Sequence, residues 1–148
     1  MSFSNELTIT PIVDAEIDAV VALWQRCDLT RPWNDAAGDI AGARGRSNSD
    51  VLVGHFDHVV TATVMVGHDG HRGWVYYVAV APDKRRNGYG QAMMRAAEDW
   101  LRERGIKKLM LLVRPENDHV RDFYRAAGYE EQPRVVFARW LDGRPMTP

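Results

Sequence analysis

Seven consecutive residues, Lys84-Arg85-Arg86-Asn87-Gly88-Tyr89-Gly90, place three cations and two glycines in one turn. They follow an apolar run, Val75 to Ala81, that Pro82 ends, and they open a segment with helical periodicity. Such a turn at the end of a strand gathers backbone N–H groups, a helix N-terminus and positive charge. Those are the groups that hold a di- or polyphosphate. Gly88 and Gly90 suit close approach of an anion because no Cβ intervenes. A dinucleotide fingerprint would want a further glycine at position 93, where Met93 stands. A P-loop would want a Gly-Lys-Ser/Thr ending, which is absent. An ordinary glycine-bearing loop with solvated arginines explains the same residues without a ligand.

Other residues carry chemistry with similar ambiguity. Tyr124 beside Phe123 reads as a core tyrosine, or as a phenol whose hydroxyl emerges to donate a proton. Asn117 is a helix cap or a ligand-binding amide. Trp33, beside Arg31, Asn34 and Asp35, walls a ligand pocket or anchors its own loop. His68 and His71 flank Asp69 in an Asp-Gly turn, which reads as a solvated hairpin; no metal is expected. Cys27 reads as a small packing residue, with nothing to mark it as a nucleophile.

The elements that must position these residues follow from periodicity. Leu7 to Ile12 alternates and reads as a strand, and Ile17, Val20, Val21 and Trp24 recur at helical spacing. Arg31 to Asp35 is a loop, followed by a weak helix from about Ala36 to Ser47. Val51–Phe56, Val59–Val66 and Trp74–Ala81 read as three strands in meander order, with Asp57-His58 as the first hairpin turn. Tyr89, Ala92, Met93, Ala96, Ala97, Trp100 and Leu101 make an amphipathic helix that Gly105 ends. Leu109 to Val113 reads as a strand buried on both faces. A helix from Asn117 to Ala127 stops at Gly128, Tyr129 to Leu141 supplies one or two closing strands, and Arg144 to Pro148 frays. The order predicts one α/β domain over residues 1–148, with a mixed, mostly antiparallel sheet of six to seven strands and about four helices.

Composition narrows the partners. At 148 residues the chain suffices for one domain with a real core. A formal charge of −1 argues against a dedicated nucleic-acid binder, which usually needs a net basic surface. A single cysteine excludes an intrachain disulfide. Met1 to Glu6 lacks a basic region followed by an apolar one, and no apolar run approaches a membrane span. The chain reads as cytoplasmic, with neither membrane nor nucleic acid as partner.

Together these features resemble the GNAT superfamily of N-acetyltransferases. Val78-Ala79-Val80-Ala81-Pro82 followed by Arg85-x-x-Gly88-x-Gly90 is similar to the family's acetyl-CoA motif. Asn117 with Phe123-Tyr124-Arg125-Ala126-Ala127-Gly128-Tyr129 is similar to its second motif. Residues Cys27 to Asp35 and Gly67 to Gly73 further resemble the small bacterial stand-alone, YpeA-type branch. The resemblance implies a single GNAT domain whose sheet splays between its two central strands. It implies acetyl-CoA as co-substrate, its pantetheine arm paired with the backbone of the Val78-Ala79-Val80 segment. Its pyrophosphate would lie on N–H groups of Arg86, Asn87, Gly88, Tyr89, Gly90 and Gln91, with Lys84, Arg85 and Arg86 screening charge. Asn117 would hold the coenzyme near its thiol, and Tyr124 would protonate the leaving thiolate.

The implied reaction is direct attack of a neutral primary amine on the acetyl carbonyl in a ternary complex, with a backbone N–H around Val78 polarising that carbonyl. Ribosomal-protein N-terminal acetyltransferases of the superfamily carry a glutamate base where this chain has Leu112. A water chain, or a side chain from the Arg31–Asp39 loop such as Asp35, must then serve if any base is needed. Tyr76 and Tyr77 are expected on opposite faces of their strand, so that one lines the acceptor pocket. Asp35, Asp39 and Asp69 suit a cationic amine and Arg31 a carboxylate, which points to a small-molecule, amino-acid or peptide acceptor. A homodimer is left open. So are two other readings: a non-catalytic acetyl-CoA-binding or sensing module, and a nucleotide-binding α/β domain.

Overall fold

The computed structural model describes residues 7–146 and divides the chain into two compact units, between Leu112 and Val113. The sequence readings on Met1 to Glu6 and on the last two residues lie outside the described residues. The first unit holds β1 (Thr8–Pro11), α1 (Ile17–Arg26), α2 (Ala36–Ala43), β2 (Ser49–Phe56), β3 (Val59–His68), β4 (Gly73–Val80), α3 (Tyr89–Glu103) and β5 (Leu109–Met110). Its sheet runs in the order β1-β2-β3-β4-β5. The first three pairings are antiparallel and β4–β5 is parallel, so the sheet is mixed as expected.

Local chemistry explains the meander. Asp57 and His58, both at positive φ (51° and 63°), form the two-residue turn between β2 and β3. That conformation matches the twist of the flanking strands. At the next turn the Asp69 carboxylate accepts the N–H groups of His71 and Arg72 at 2.9 and 2.8 Å. The His68 imidazole Nδ1 accepts the Gly70 N–H at 3.0 Å, so the side chains of His68 and Asp69 both shape this turn.

The two sheet faces bury different helices. Val20, Leu23 and Trp24 of α1 and Ile40 of α2 are fully buried with Val51, Val53 and Ala79. On the opposite face α3 buries Met93, Met94, Ala97, Trp100 and Leu101. The faces are identified by the two strand glycines: a Cβ on Gly54 would lie 3.0 Å from the Met93 sulfur, and one on Gly73 only 2.5 Å from Leu101. At Gly73 the close approach of α3 calls for glycine, whereas at Gly54 the Leu7 side chain approaches as closely as Met93.

Two expectations fail. The run Leu109 to Val113 pairs only at Leu109 and Met110, and Leu112 is 56% exposed rather than buried on both faces. Tyr129 to Leu141 forms no strand, and Val135, Phe137 and Leu141 are 82%, 92% and 94% exposed. The sheet therefore has five strands, not six to seven. A strand needs a neighbour's N–H and C=O groups, and β propensity alone does not supply one. Within the second unit, α4 (Asp118–Ala126) is the one regular element among the described residues.

Candidate functional site

The turn after β4 is built from its own backbone. Pro82–Lys84 form a single 3-10 turn with proline at its start, closed by the Lys84 N–H on the Ala81 carbonyl at 2.8 Å. Arg86 and Gly88 then adopt left-handed conformations, with φ of 68° and 76°. A Cβ at Gly88 would meet nothing within 4 Å, so the backbone rather than lack of space calls for glycine. Arg86 has a Cβ and bears roughly 1–2 kcal/mol of strain in that region. The Asn87 side-chain amide donates to the carbonyls of Lys84 and Arg85 at 2.8 and 3.3 Å, so it braces the turn.

Helix α3 begins at once. Its first internal hydrogen bond runs from the Ala92 N–H to the Gly88 carbonyl at 3.0 Å. The N–H groups of Gly88, Tyr89, Gly90 and Gln91 therefore lack partners within the helix and carry the positive end of its dipole. Arg85 and Arg86 are exposed around them. Lys84 is not equivalent, because its ammonium lies over the Phe56 ring at 4.9 Å. Tyr89 is buried and tilted against that same ring, so its phenol anchors the helix.

The strand leading into this turn has an open edge. Pairing of β4 with β5 covers only Gly73 and Trp74. The Ala81 N–H donates to the Thr61 carbonyl at 2.8 Å, which orients the polar groups of Ala81 toward β3. Alternation then turns those of Val80 and Val78 toward the edge beyond the β5 pairing. The Val80 carbonyl also accepts the Cys27 thiol at 3.3 Å. Ala79 pairs with Thr63, and its side chain is buried in the core.

Between these residues β4 bulges. Thr63 pairs with Ala79 and Met65 with Tyr76, so Tyr77 and Val78 together oppose Val64. Tyr77 sits at φ 53°. The tyrosine ring stacks on Trp24 with centroids 3.7 Å apart and planes 6° from parallel. Its hydroxyl donates to Asp39 Oδ2 at 2.7 Å. Its carbonyl accepts the Thr63 hydroxyl at 2.9 Å, and that hydroxyl accepts the Trp24 indole N–H at 2.9 Å. Burial, then the Asp39 hydrogen bond, push the Tyr77 phenol well above its ordinary pKa.

The bulge overturns one expectation. Cross-strand partners share a face, so Tyr76 lies on the side of Met65, which packs against the α1–α2 core together with Tyr77. Tyr76 and Tyr77 therefore face the same side, because the left-handed residue breaks the alternation. Tyr76 is 49% exposed there.

The loop before α2 is occupied largely with itself. Arg31 donates to the carbonyls of Asp28 and Thr30, each at 2.8 Å. Asp35 caps α2 by accepting the Gly38 N–H at 3.1 Å. Trp33 is half-buried.

In the second unit Asn117 is the N-cap of α4, its Oδ1 accepting the Val120 N–H at 3.4 Å. Tyr124 lies edge-on to Phe123 and Tyr129, with centroids 4.9 and 5.8 Å away. Burial pushes its hydroxyl up to about 12. Glu131 joins Arg121 and Arg125 at 2.7 and 3.2 Å, tying the segment after α4 to that helix.

Sequence reasoning missed Thr63, Trp24 and the role of Tyr77. None lies in a motif, and the bulge that joins them leaves no compositional trace; Trp24 was legible only as a helical core residue.

Comparison with known proteins agrees with this architecture. The model of the acetyltransferase (GNAT) family matches residues 13–129. An acetyltransferase of Pectobacterium atrosepticum is 41% identical over 126 residues, covering 85% of this chain and 89% of its own. One from Yersinia pestis is 37% identical over the same shares. Among solved structures, the aminoglycoside N-acetyltransferase AAC(6′)-Iy in complex with CoA superposes with a TM-score of 0.79 at 18% identity, over 95% of this chain and 97% of that one. The chain belongs to the acetyltransferase (GNAT) family and is an acyltransferase.

Proposed function

We propose that the protein moves the acetyl group of acetyl-CoA directly to a primary amine in a ternary complex. The observation that carries this reading is the β4–turn–α3 junction. There an open strand edge leads into partnerless amide groups at a helix N-terminus, flanked by exposed Arg85 and Arg86. This arrangement suits an extended amide-bearing arm followed by a pyrophosphate. In the reading, Val78 and Val80 pair with the pantetheine arm and the amides from Arg86 to Gln91 receive the pyrophosphate. A backbone N–H at Val78 polarises the acetyl carbonyl.

Asn117 and Tyr124 are assigned by their places in the second motif, as coenzyme ligand and general acid. The family match runs without a break across the division between Leu112 and Val113, which supports treating both units as one acetyltransferase domain. The acceptor is a small molecule, an amino acid or a peptide N-terminus. With Arg31 and Asp35 engaged in their own loop, exposed Tyr76 is the better acceptor-side residue. AAC(6′)-Iy has also been solved with the bisubstrate analog CoA-S-monomethyl-acetylneamine, which supports including aminoglycosides in an acceptor screen.

The test is thiol release from acetyl-CoA against amines, amino acids, peptides and aminoglycosides, with thermal shift by acetyl-CoA, ATP and NAD alongside. Amine-dependent release with preferential stabilisation by acetyl-CoA is expected. Stabilisation without release from any acceptor would overturn the catalytic reading in favour of a sensing module. Preference for ATP or NAD would overturn the coenzyme.

A further inference from the structure

We propose that Tyr77, held by Asp39, Thr63 and Trp24, is a positioning residue that fixes which backbone groups β4 presents at its open edge. Through Asp39 it also ties helix α2 to that edge. The inference rests on the acetyl-CoA reading above and deepens it.

Each part of Tyr77 is held by a different element. Its ring lies on Trp24 of α1, its hydroxyl on Asp39 of α2 and its carbonyl on Thr63 of β3. The Thr63 hydroxyl is used twice, accepting from Trp24 and donating to Tyr77, so loss of either neighbour is felt by the other. A non-glycine residue at φ 53° persists only where its surroundings over-determine it. Three anchors do so here, two of them joined through the Thr63 hydroxyl.

The consequence lies beyond the bulge. If Tyr77 relaxed to an extended conformation, β4 would slip by one residue against β3, and every later side chain would change face. Ala79 and Ala81 would leave the core they share with Leu23 and Ile40. The polar groups of Val80 would turn toward β3 and those of Ala81 toward the open edge. The acyl donor's edge is thus set by a tyrosine and an aspartate 38 positions apart. Asp39 lies one turn beyond the Asp35 cap, so a ligand that shifts the preceding loop also pulls on this anchor.

Two variants cut the network while preserving shape: Tyr77→Phe removes one hydrogen bond and keeps the stack on Trp24, and Thr63→Val keeps the volume but removes both bonds of the Thr63 hydroxyl. Tyr77→Phe is expected to weaken acetyl-CoA binding about tenfold, the size of one lost hydrogen bond, and Thr63→Val by at least as much. Each also speeds hydrogen exchange of the Ala81 amide, with the Ile12 amide, bonded to Val51 on a distant strand, as control. Asp39→Asn retains an oxygen for the Tyr77 hydroxyl and recovers most of what Asp39→Ala loses. A purely structural role would lower thermal stability while leaving acetyl-CoA affinity and Ala81 exchange at wild-type values; that result in both variants overturns the proposal. If the wild-type protein itself fails to bind acetyl-CoA, the functional reading falls, and Ala81 exchange alone decides whether Tyr77 fixes the strand.

Discussion

Tyr124 and Gly88 show how differently two motif residues serve. Burial holds the Tyr124 hydroxyl at about 12, so it stays protonated throughout the working range of an amine acetyltransferase. In the proposed acid role, a phenol this weak would donate to sulfur only as charge develops there, so its contribution would fall in the transition state. Tyr124→Phe is expected to lower the rate of acetyl transfer by about 100-fold or more. The wild-type pH profile should show no fall attributable to this phenol below roughly pH 11, and stopped-assay rates from pH 6 to 11 check both statements. Gly88 is a matter of backbone alone. Gly88→Ala meets no atom but should cost about 1–2 kcal/mol from its positive φ, whereas Gly88→Asn should cost less because Asn tolerates the left-handed region. Thermal denaturation of the two variants tests that ranking.

At the scale of elements, α2 and α4 carry unequal side-chain caps. Asp35 bonds the Gly38 N–H at 3.1 Å, whereas Asn117 reaches the Val120 N–H only at 3.4 Å. Asp35→Ala is expected to destabilise by about 1 kcal/mol and Asn117→Ala by less, measured by urea unfolding. A larger effect of Asn117→Ala on acetyl-CoA binding than on stability would mark it as a ligand residue. Helix α3 needs no side-chain cap of this kind. Gly88 opens it in a left-handed conformation, with no side-chain cap on its first amides. Arg85→Ala with Arg86→Ala should weaken acetyl-CoA binding and flatten its salt dependence, because exposed cations act through a screened field. Lys84→Ala should act through lost packing on Phe56 as well.

At the scale of the whole molecule, titration of two half-buried phenols links pH to stability. Tyr77 and Tyr124 both have pKa values raised in the folded state, the first by burial and its Asp39 bond, the second by burial. The folded chain therefore retains protons that the unfolded chain releases above about pH 10, and stability should fall as pH rises beyond that point. Tyr77→Phe should shallow this fall, which chemical denaturation between pH 8 and 11 would reveal. What the sequence determined alone was what local chemistry governs. Asp57-His58 sets a hairpin, Asp35 and Asn117 start helices, and the Lys84–Gly90 order puts amides and cations at a helix N-terminus. Only the tertiary structure decided the rest, because it depends on partners far away in the chain. Val135 to Phe137 has strand propensity without a partner strand in its own unit, and Leu112 lies outside the β4–β5 pairing. Tyr77 reads as one more alternating strand residue until Trp24, Asp39 and Thr63 close on it and break the alternation.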